Sequence, residues 1–180
     1  MLQAERRSDW KAWAKLRAES REFLAPFEST WPRDALTRRA FHRRVRRHAA
    51  DRREGSAYHF LIFHADDGTL LGGINLTNVR RGTVQSGSLG YWIGAPFARR
   101  GFMTEALRGL LSFAFLGLGL HRIDAACLPE NAASQRLLEG AGFTGEGRAR
   151  EYIRIDGAWR DHLTYGILRS DWDRKRSAPA

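Results

Sequence analysis

Three short stretches carry side chains that could do chemistry. The first runs from Gly90 to Leu107, GYWIGAPFARRGFMTEAL. Leu89 to Gly94, with Trp92 and Ile93, has the aromatic and β-branched residues of a strand end, and Pro96 closes that strand. Leu107, Leu110, Leu111, Ala114 and Phe115 then recur at helical spacing. Between strand and helix stand Arg99, Arg100 and Gly101, followed by Phe102, Met103 and Thr104. This order suits an anion. The first turn of a helix has unpaired N–H groups and the positive dipole end, Gly101 admits close backbone approach, and two arginines add charge. By itself the motif is weak evidence, since basic turns before helices are common and usually just solvated. The second stretch holds Asn131 and Ser134, one helical turn apart after Pro129, where both residue types cap helices. The third is Glu151 beside Tyr152 on a strand, a place where a carboxylate is ordinarily exposed.

Other reactive side chains point elsewhere. Cys127 has apolar strand neighbours, which raise a thiol's pKa rather than activate it, so it reads as buried filler. His42, His48, His59, His64, His121 and His162 show no metal-ligand spacing with cysteine or acid partners, and no metal is implied.

The elements that must position these groups follow from periodicity. Residues 8–24 form a helix capped by Ser8 or Asp9 and closed by Pro26 and Pro32. A second helix covers about 34–53, with a thin apolar stripe (Leu36, Ala40, Phe41, Val45) and arginines elsewhere. So dense a cationic face reads either as solvated or as a surface for RNA or an acidic protein. Strands follow at 58–64 and 70–79 around Asp66-Asp67-Gly68, and a third ends at Gly94. After the central helix come a strand at 121–127, a helix at 129–141 stopped by Gly142, and strands at 143–155 and 158–168 joined by Asp156-Gly157. The result is one α/β (α+β) domain over 1–170, a mixed, mostly antiparallel sheet with helices on both faces. Residues 171–180 form a charged, frayed tail.

Composition narrows the partners. With 180 residues the chain is one domain with room for a core, and a net charge of +10 favours anionic partners such as a nucleotide, RNA or an acidic protein. No apolar run reaches the roughly 20 residues of a membrane span. The N-terminus lacks an apolar signal core, and a single cysteine fits a reducing compartment. A cytoplasmic protein is expected.

Three motifs together carry a resemblance. ARRGFMTEAL at 98–107, PENAASQRLLEGAGF at 129–143 and YIRIDGAWRDH at 152–162 resemble the GCN5-related N-acetyltransferases (GNAT), nearest to their Rim-type ribosomal-protein-alanine N-acetyltransferases. The resemblance spans nearly the whole chain, and the IDGxWRDH run is its most specific part. It implies acetyl-CoA as co-substrate, with the pyrophosphate held at Arg99 to Thr104. The family pattern there is Gln/Arg-x-x-Gly-x-Gly/Ala: Gly101 matches, while Ala98 and Met103 depart. Rim-type members accept methionine at the last place, and Arg99 and Arg100 stand beside the missing first one.

The resemblance further implies that the strand through Trp92 and Ile93 splays from the strand at 121–127, leaving the thioester in the gap and an N–H near Ile93 facing the oxyanion. Sequence alone favours an ordinary strand pair there. Asn131 would contact the CoA arm, Ser134 would protonate the leaving thiolate, and Glu151 would take the amine's proton. The family has one more strand at the start. Met1 lies almost at the first helix, so the sheet lacks that edge strand or the true start lies upstream. The implied activity is acetylation of a protein N-terminus by direct attack, most simply on a ribosomal protein; the arginine face of the 33–53 helix adds RNA contact as a possible partner surface. A small-amine acetyltransferase (polyamine, amino acid or antibiotic) and a non-catalytic RNA- or ribosome-binding module are the alternatives.

Overall fold

The computed structural model describes residues 1–177. Seven strands form one sheet in the order β1-β2-β3-β4-β5-β7-β6. They are β1 (Leu2–Ala4), β2 (Tyr58–Phe63), β3 (Leu70–Arg80), β4 (Ser86–Ile93), β5 (Arg122–Cys127), β6 (Thr144–Ile155) and β7 (Ala158–Leu168). Every neighbouring pair is antiparallel except β4–β5. That parallel pair needs a crossover, which α4 (Phe102–Ser112) and a wider turn at Phe113–Gly117 supply. Two apolar clusters reflect helices on both faces. Leu107, Leu110, Leu111 and Phe115 pack on one face of the sheet with Leu138 of α5 (Ala132–Ala141). Trp13 and Leu16 of α1 (Trp10–Glu19) and Phe41 of α3 (Arg38–Glu54) pack with Leu61 and Leu70.

The opening edge strand is present, against the sequence reading. Leu2 pairs with Ile62, Gln3 with Leu61 and Ala4 with Phe60, and the Met1 nitrogen donates to the Phe63 carbonyl at 2.8 Å. Three residues are too few to carry a period, so pattern could not reveal them. The tail is also a correction. Residues Arg169–Ser177 form α6, whose buried Trp172 packs on Phe115 with ring centroids 5.4 Å apart. The final three residues of the expected tail lie outside the described residues. The first predicted helix breaks at Ser20, separating α1 from a short α2 (Arg21–Leu24). Ser20 is fully buried and its hydroxyl accepts the Ala95 N–H at 2.9 Å, tying this bend to the end of β4. The second helix starts later than expected, because Thr37 caps it by accepting the Ala40 N–H at 3.2 Å.

The arginine face of α3 is not uniformly free. Arg43 pairs with Asp34 at 2.6 Å, and Arg52 donates to the His59 carbonyl. Arg44 lies over the Trp13 ring and pairs with Glu5, whose side chain is only 2% exposed. His48 Nδ1 meets the other Glu5 oxygen at 2.7 Å. Burial by itself would raise the Glu5 carboxyl; the His48 hydrogen bond and the Arg44 charge outweigh it and hold it at about 2. Glu5 thus fastens α3 to the segment that follows β1.

A carboxyl held below its unfolded value contributes stability that is complete above the unfolded pKa and lost as pH falls through the folded one. For Glu5 that window runs from 4.5 down to about 2. His59, lowered by burial and by the neighbouring His48, adds a shallower loss that begins below 6.5. Glu5→Gln is expected to cost on the order of 3 kcal/mol at neutral pH, because it strands the Arg44 charge. Denaturant titrations of both proteins should converge as pH is lowered from 7 toward 3; a gap independent of pH would show that the carboxylate charge is not what holds α3.

Candidate active site

The site begins where β4 and β5 part. Their register pairs Ser86 to Leu89 with Arg122 to Ala125 and goes no further, although β4 stays paired to β3 up to Ile93↔Gly72. Beyond Leu89, then, β4 has a sheet neighbour on one side only. The Gly94 N–H donates to the Leu71 carbonyl at 2.8 Å on the β3 side. Alternation along the strand therefore turns the Ile93 N–H the other way, into the gap. The ordinary strand pair that sequence favours does not form; the splay implied by the family resemblance does.

Close approach to β3 holds β4 to that side. A Cβ on Gly72 would lie 2.4 Å from the Trp92 carbonyl oxygen, and one on Gly73 would lie 2.5 Å from the Trp92 indole nitrogen. The next turn carries the chain over the gap. Arg99 and Gly101 both have left-handed backbone, φ 60 and φ 83, and Gly101 is the N-cap of α4. Left-handed residues so close together turn successive N–H groups into a concavity of the kind that binds anions. The N–H groups of Phe102, Met103 and Thr104 open the first helical turn, whose ladder starts with Glu105 donating to Gly101. The Arg100 guanidinium stacks over Phe102 at 5.1 Å, and no carboxylate lies within 4.0 Å of Arg99 or Arg100 among the described residues.

Across the gap, Asn131 caps α5 by accepting the Ser134 N–H at 3.0 Å, which leaves its amide nitrogen available. The Ser134 side chain neighbours the phenol of Tyr91. Burial raises Tyr91 to about 12, against the lowering effect of Ser134, so it keeps its proton at neutral pH. Tyr91 was not singled out from the sequence; its only signal was an aromatic at the strand end. Cys127, at the end of β5, is buried and raised to about 11 by desolvation and then by the charge of Glu139. It is a thiol, as expected.

On the sheet face opposite α4 and α5, a groove of about 1150 Å³ runs up to the fork. Ser88 and Asp124 form its floor, Asp51 and His59 one wall, and Tyr152 and Ile153 the other. Unlike Tyr152 beside it, Glu151 itself is exposed and does not line the groove. It occupies a bulge between Ala149 and Ile153 with φ 47, and its N–H donates to Asp161 at 2.8 Å. The groove is acidic in a basic protein. Asp51, Asp124 and Glu146 line it against a single arginine, Arg80, and Arg122 pairs with the last two carboxylates. Sequence reasoning passed over Asp51 and Asp124, although a carboxylate inside the strand IDAAC was a visible anomaly.

The structure also gathers His48, Asp51 and His59, whose ligand atoms lie within 4.8 Å of one another, from residues that sequence spacing did not link. The two imidazoles stack with centroids 3.5 Å apart and planes 9° from parallel. Their lone pairs run side by side instead of converging on one ion, so the trio reads as packing beneath the groove wall.

Fold and site together define an acyl-transfer enzyme of one family. Residues 1–144 match the family model described as an acetyltransferase (GNAT) domain, and the chain belongs to the GCN5-related N-acetyltransferases. It is similar to the [Ribosomal protein uS5]-alanine N-acetyltransferase of Escherichia coli, 35% identical over 91% of this chain and 86% of that one. Among solved structures it resembles the ribosomal-protein-S5-alanine acetyltransferase of Vibrio fischeri (TM-score 0.88, 27% identity, 95% and 93% of the two chains). It also resembles Mycobacterium smegmatis RimJ in complex with CoA-disulfide (TM-score 0.87, 32% identity, 93% and 80%). The chain is an N-acetyltransferase of the Rim group, and its family uses acetyl-CoA.

If the basic turn cradles phosphate, replacing Arg99 and Arg100 by glutamate should weaken CoA by roughly two orders of magnitude. Pantetheine, which lacks the phosphates, should bind nearly as before. Calorimetry giving unchanged CoA affinity would remove the turn from the site.

Proposed function

We propose that this protein transfers the acetyl group of acetyl-CoA, by direct attack, to the N-terminal α-amine of a protein, most simply a ribosomal one in the cytoplasm. The observation that carries this reading is the fork between β4 and β5 meeting an open, acidic groove. In this reading Arg99 to Thr104 hold the pyrophosphate, and the freed edge at Trp92 and Ile93 pairs with the pantetheine amides. The Asn131 amide steadies that arm. The acceptor enters along the groove, where Asp51 and its neighbours attract the ammonium form.

Glu151 takes the proton, directly or through water, and the amine nitrogen attacks the thioester carbon. The Ile93 N–H faces the oxyanion as the tetrahedral carbon forms. The C–S bond then breaks, the amide remains on the acceptor, and the thiolate takes a proton from Ser134. Tyr91, a neighbour of Ser134 that keeps its own proton, can replace the one that leaves. The groove's size favours a polypeptide over a small amine, whose pockets run from about 300 to 1,000 Å³ and are largely enclosed.

An α-amine has a pKa near 8 and a lysine amine near 10.4, so deprotonation at pH 7 costs the N-terminus nearly 3 kcal/mol less. Mass spectrometry should therefore find the acetyl group on the first residue of a peptide starting with alanine or serine, with little on lysine. Acetylation mainly at lysine would overturn the acceptor assignment. Glu151→Gln should slow the reaction by roughly 10²–10⁴ at neutral pH, with the loss shrinking as pH rises. A wild-type pH–rate profile in that variant would leave Glu151 no role as base.

A further inference from the structure

The paired arginines of α3 leave a remainder that the acetyl-transfer site does not use. Arg38, His42 and Arg46 follow one another at i, i+4 and i+8 on the helix, with Arg39 beside them. Together with Arg7, from the turn that follows β1, they surround a concavity of about 440 Å³. No carboxylate comes within 4.0 Å of these four arginines among the described residues, whereas Arg43 and Arg44 on the same helix are answered by Asp34 and Glu5. His42 is half-buried, and its Nε2 is shut off from water without a hydrogen-bond partner. A polar nitrogen left so is costly unless something meets it. Four unanswered guanidiniums around one hollow repel each other unless an anion enters.

We infer that Arg7, Arg38, Arg39, His42 and Arg46 form a second binding site that takes backbone phosphates of RNA. Guanidinium forks match phosphate oxygens and can grip each one through two parallel N–H groups. Side chains one helical turn apart stand about 5–6 Å from each other, a spacing comparable to that of successive phosphates along an RNA strand. No Phe, Tyr or Trp lines the hollow and its guanidiniums are the groups that face an entering strand, so recognition is of backbone phosphate, with little sequence preference. Asp51 lies about 7–20 Å further along α3 than these residues and on the opposite side of that helix, so bound RNA leaves the groove open. That this RNA is ribosomal, and brings the acceptor protein with it, rests on the function proposed above; the phosphate site does not.

The test compares Arg39→Gln with Arg46→Gln, combined, against a control that removes two exposed charges elsewhere, Lys11→Gln with Arg108→Gln. Fluorescence anisotropy with a labelled RNA hairpin should show binding at least tenfold weaker for the first pair, with the salt slope reduced by about 1.5–2, and little change for the control. Acetylation of a short peptide should be the same in all three proteins, which separates failure of this site from failure of the enzyme. Equal losses in the two variants would mean diffuse attraction to a basic protein and overturn the proposal. So would a loss confined to inorganic phosphate, followed by NMR, with RNA binding intact. So would a poly-glutamate peptide that binds as tightly as RNA and with the same dependence on Arg39 and Arg46.

Discussion

The structure depends on two strands that start as neighbours and stop being so. β4 and β5 share four paired positions and then separate, because each is pulled toward a different partner. On one side β4 is drawn to β3, where Gly72 and Gly73 let the Trp92 backbone and indole come closer than any side chain would allow. The Ser20 hydroxyl holding the Ala95 N–H, and Leu16 packed against Gly94, fix the same end to the α1 side. On the other side β5 follows β7 as far as Cys127↔Leu163. Backbone groups that lose a strand partner inside a sheet must be satisfied in another way. A co-substrate arm built of amides is a chemically natural occupant of such a gap.

Around this fork the charges are sorted by place. A chain with 30 basic and 20 acidic side chains nevertheless puts carboxylates from α3, β5 and β6 into its groove. Arginines without a carboxylate partner stand, among other places, at the turn before α4 and on the outer stripe of α3. Arg122 shows how the acidic wall is kept in shape: it binds Asp124 through Nε at 2.6 Å and Glu146 through its terminal nitrogens. Those hydrogen bonds, Glu146's first, raise the guanidinium further above its already high value. Asp51 has no such cation opposite it among the described residues, apart from the neutral-leaning His59 at 3.4 Å. The free negative charge of the groove is therefore concentrated at one wall.

Buried polarity sets which helix stands where. Glu5 joins Arg44 and His48 of α3 to the segment that follows β1, and removing any one leaves a desolvated partner. A purely apolar contact would let α3 slide along β2. Directional bonds to one carboxylate fix its register, and with it where Asp51 stands in the groove wall.

The repeating patterns were legible in the residues. The order of helices and strands, the hairpins at Asp66-Asp67-Gly68 and Asp156-Gly157, the stop at Gly142 and the basic turn at Arg99 to Thr104 are all local, written in side-chain period and backbone preference within a few residues. The three motifs added the family. What lay beyond reach was whatever depends on residues far apart or on too few of them. β1 is too short to show a period and exists because β2 offers it an edge. α6 is helical in the fold because Trp172 finds Phe115. Tyr91 beside Ser134, Asp124 on the groove floor and Glu5 beneath α3 gain their roles only from neighbours brought from other strands and helices. Even the arginines of α3, alike in sequence, divide into paired and unpaired sets by which carboxylates the fold brings within reach. The sequence by itself determined the elements and their chemistry. Tertiary structure decided which groups face each other, because hydrogen bonds and ion pairs act over only a few ångströms and the chain alone does not state that proximity.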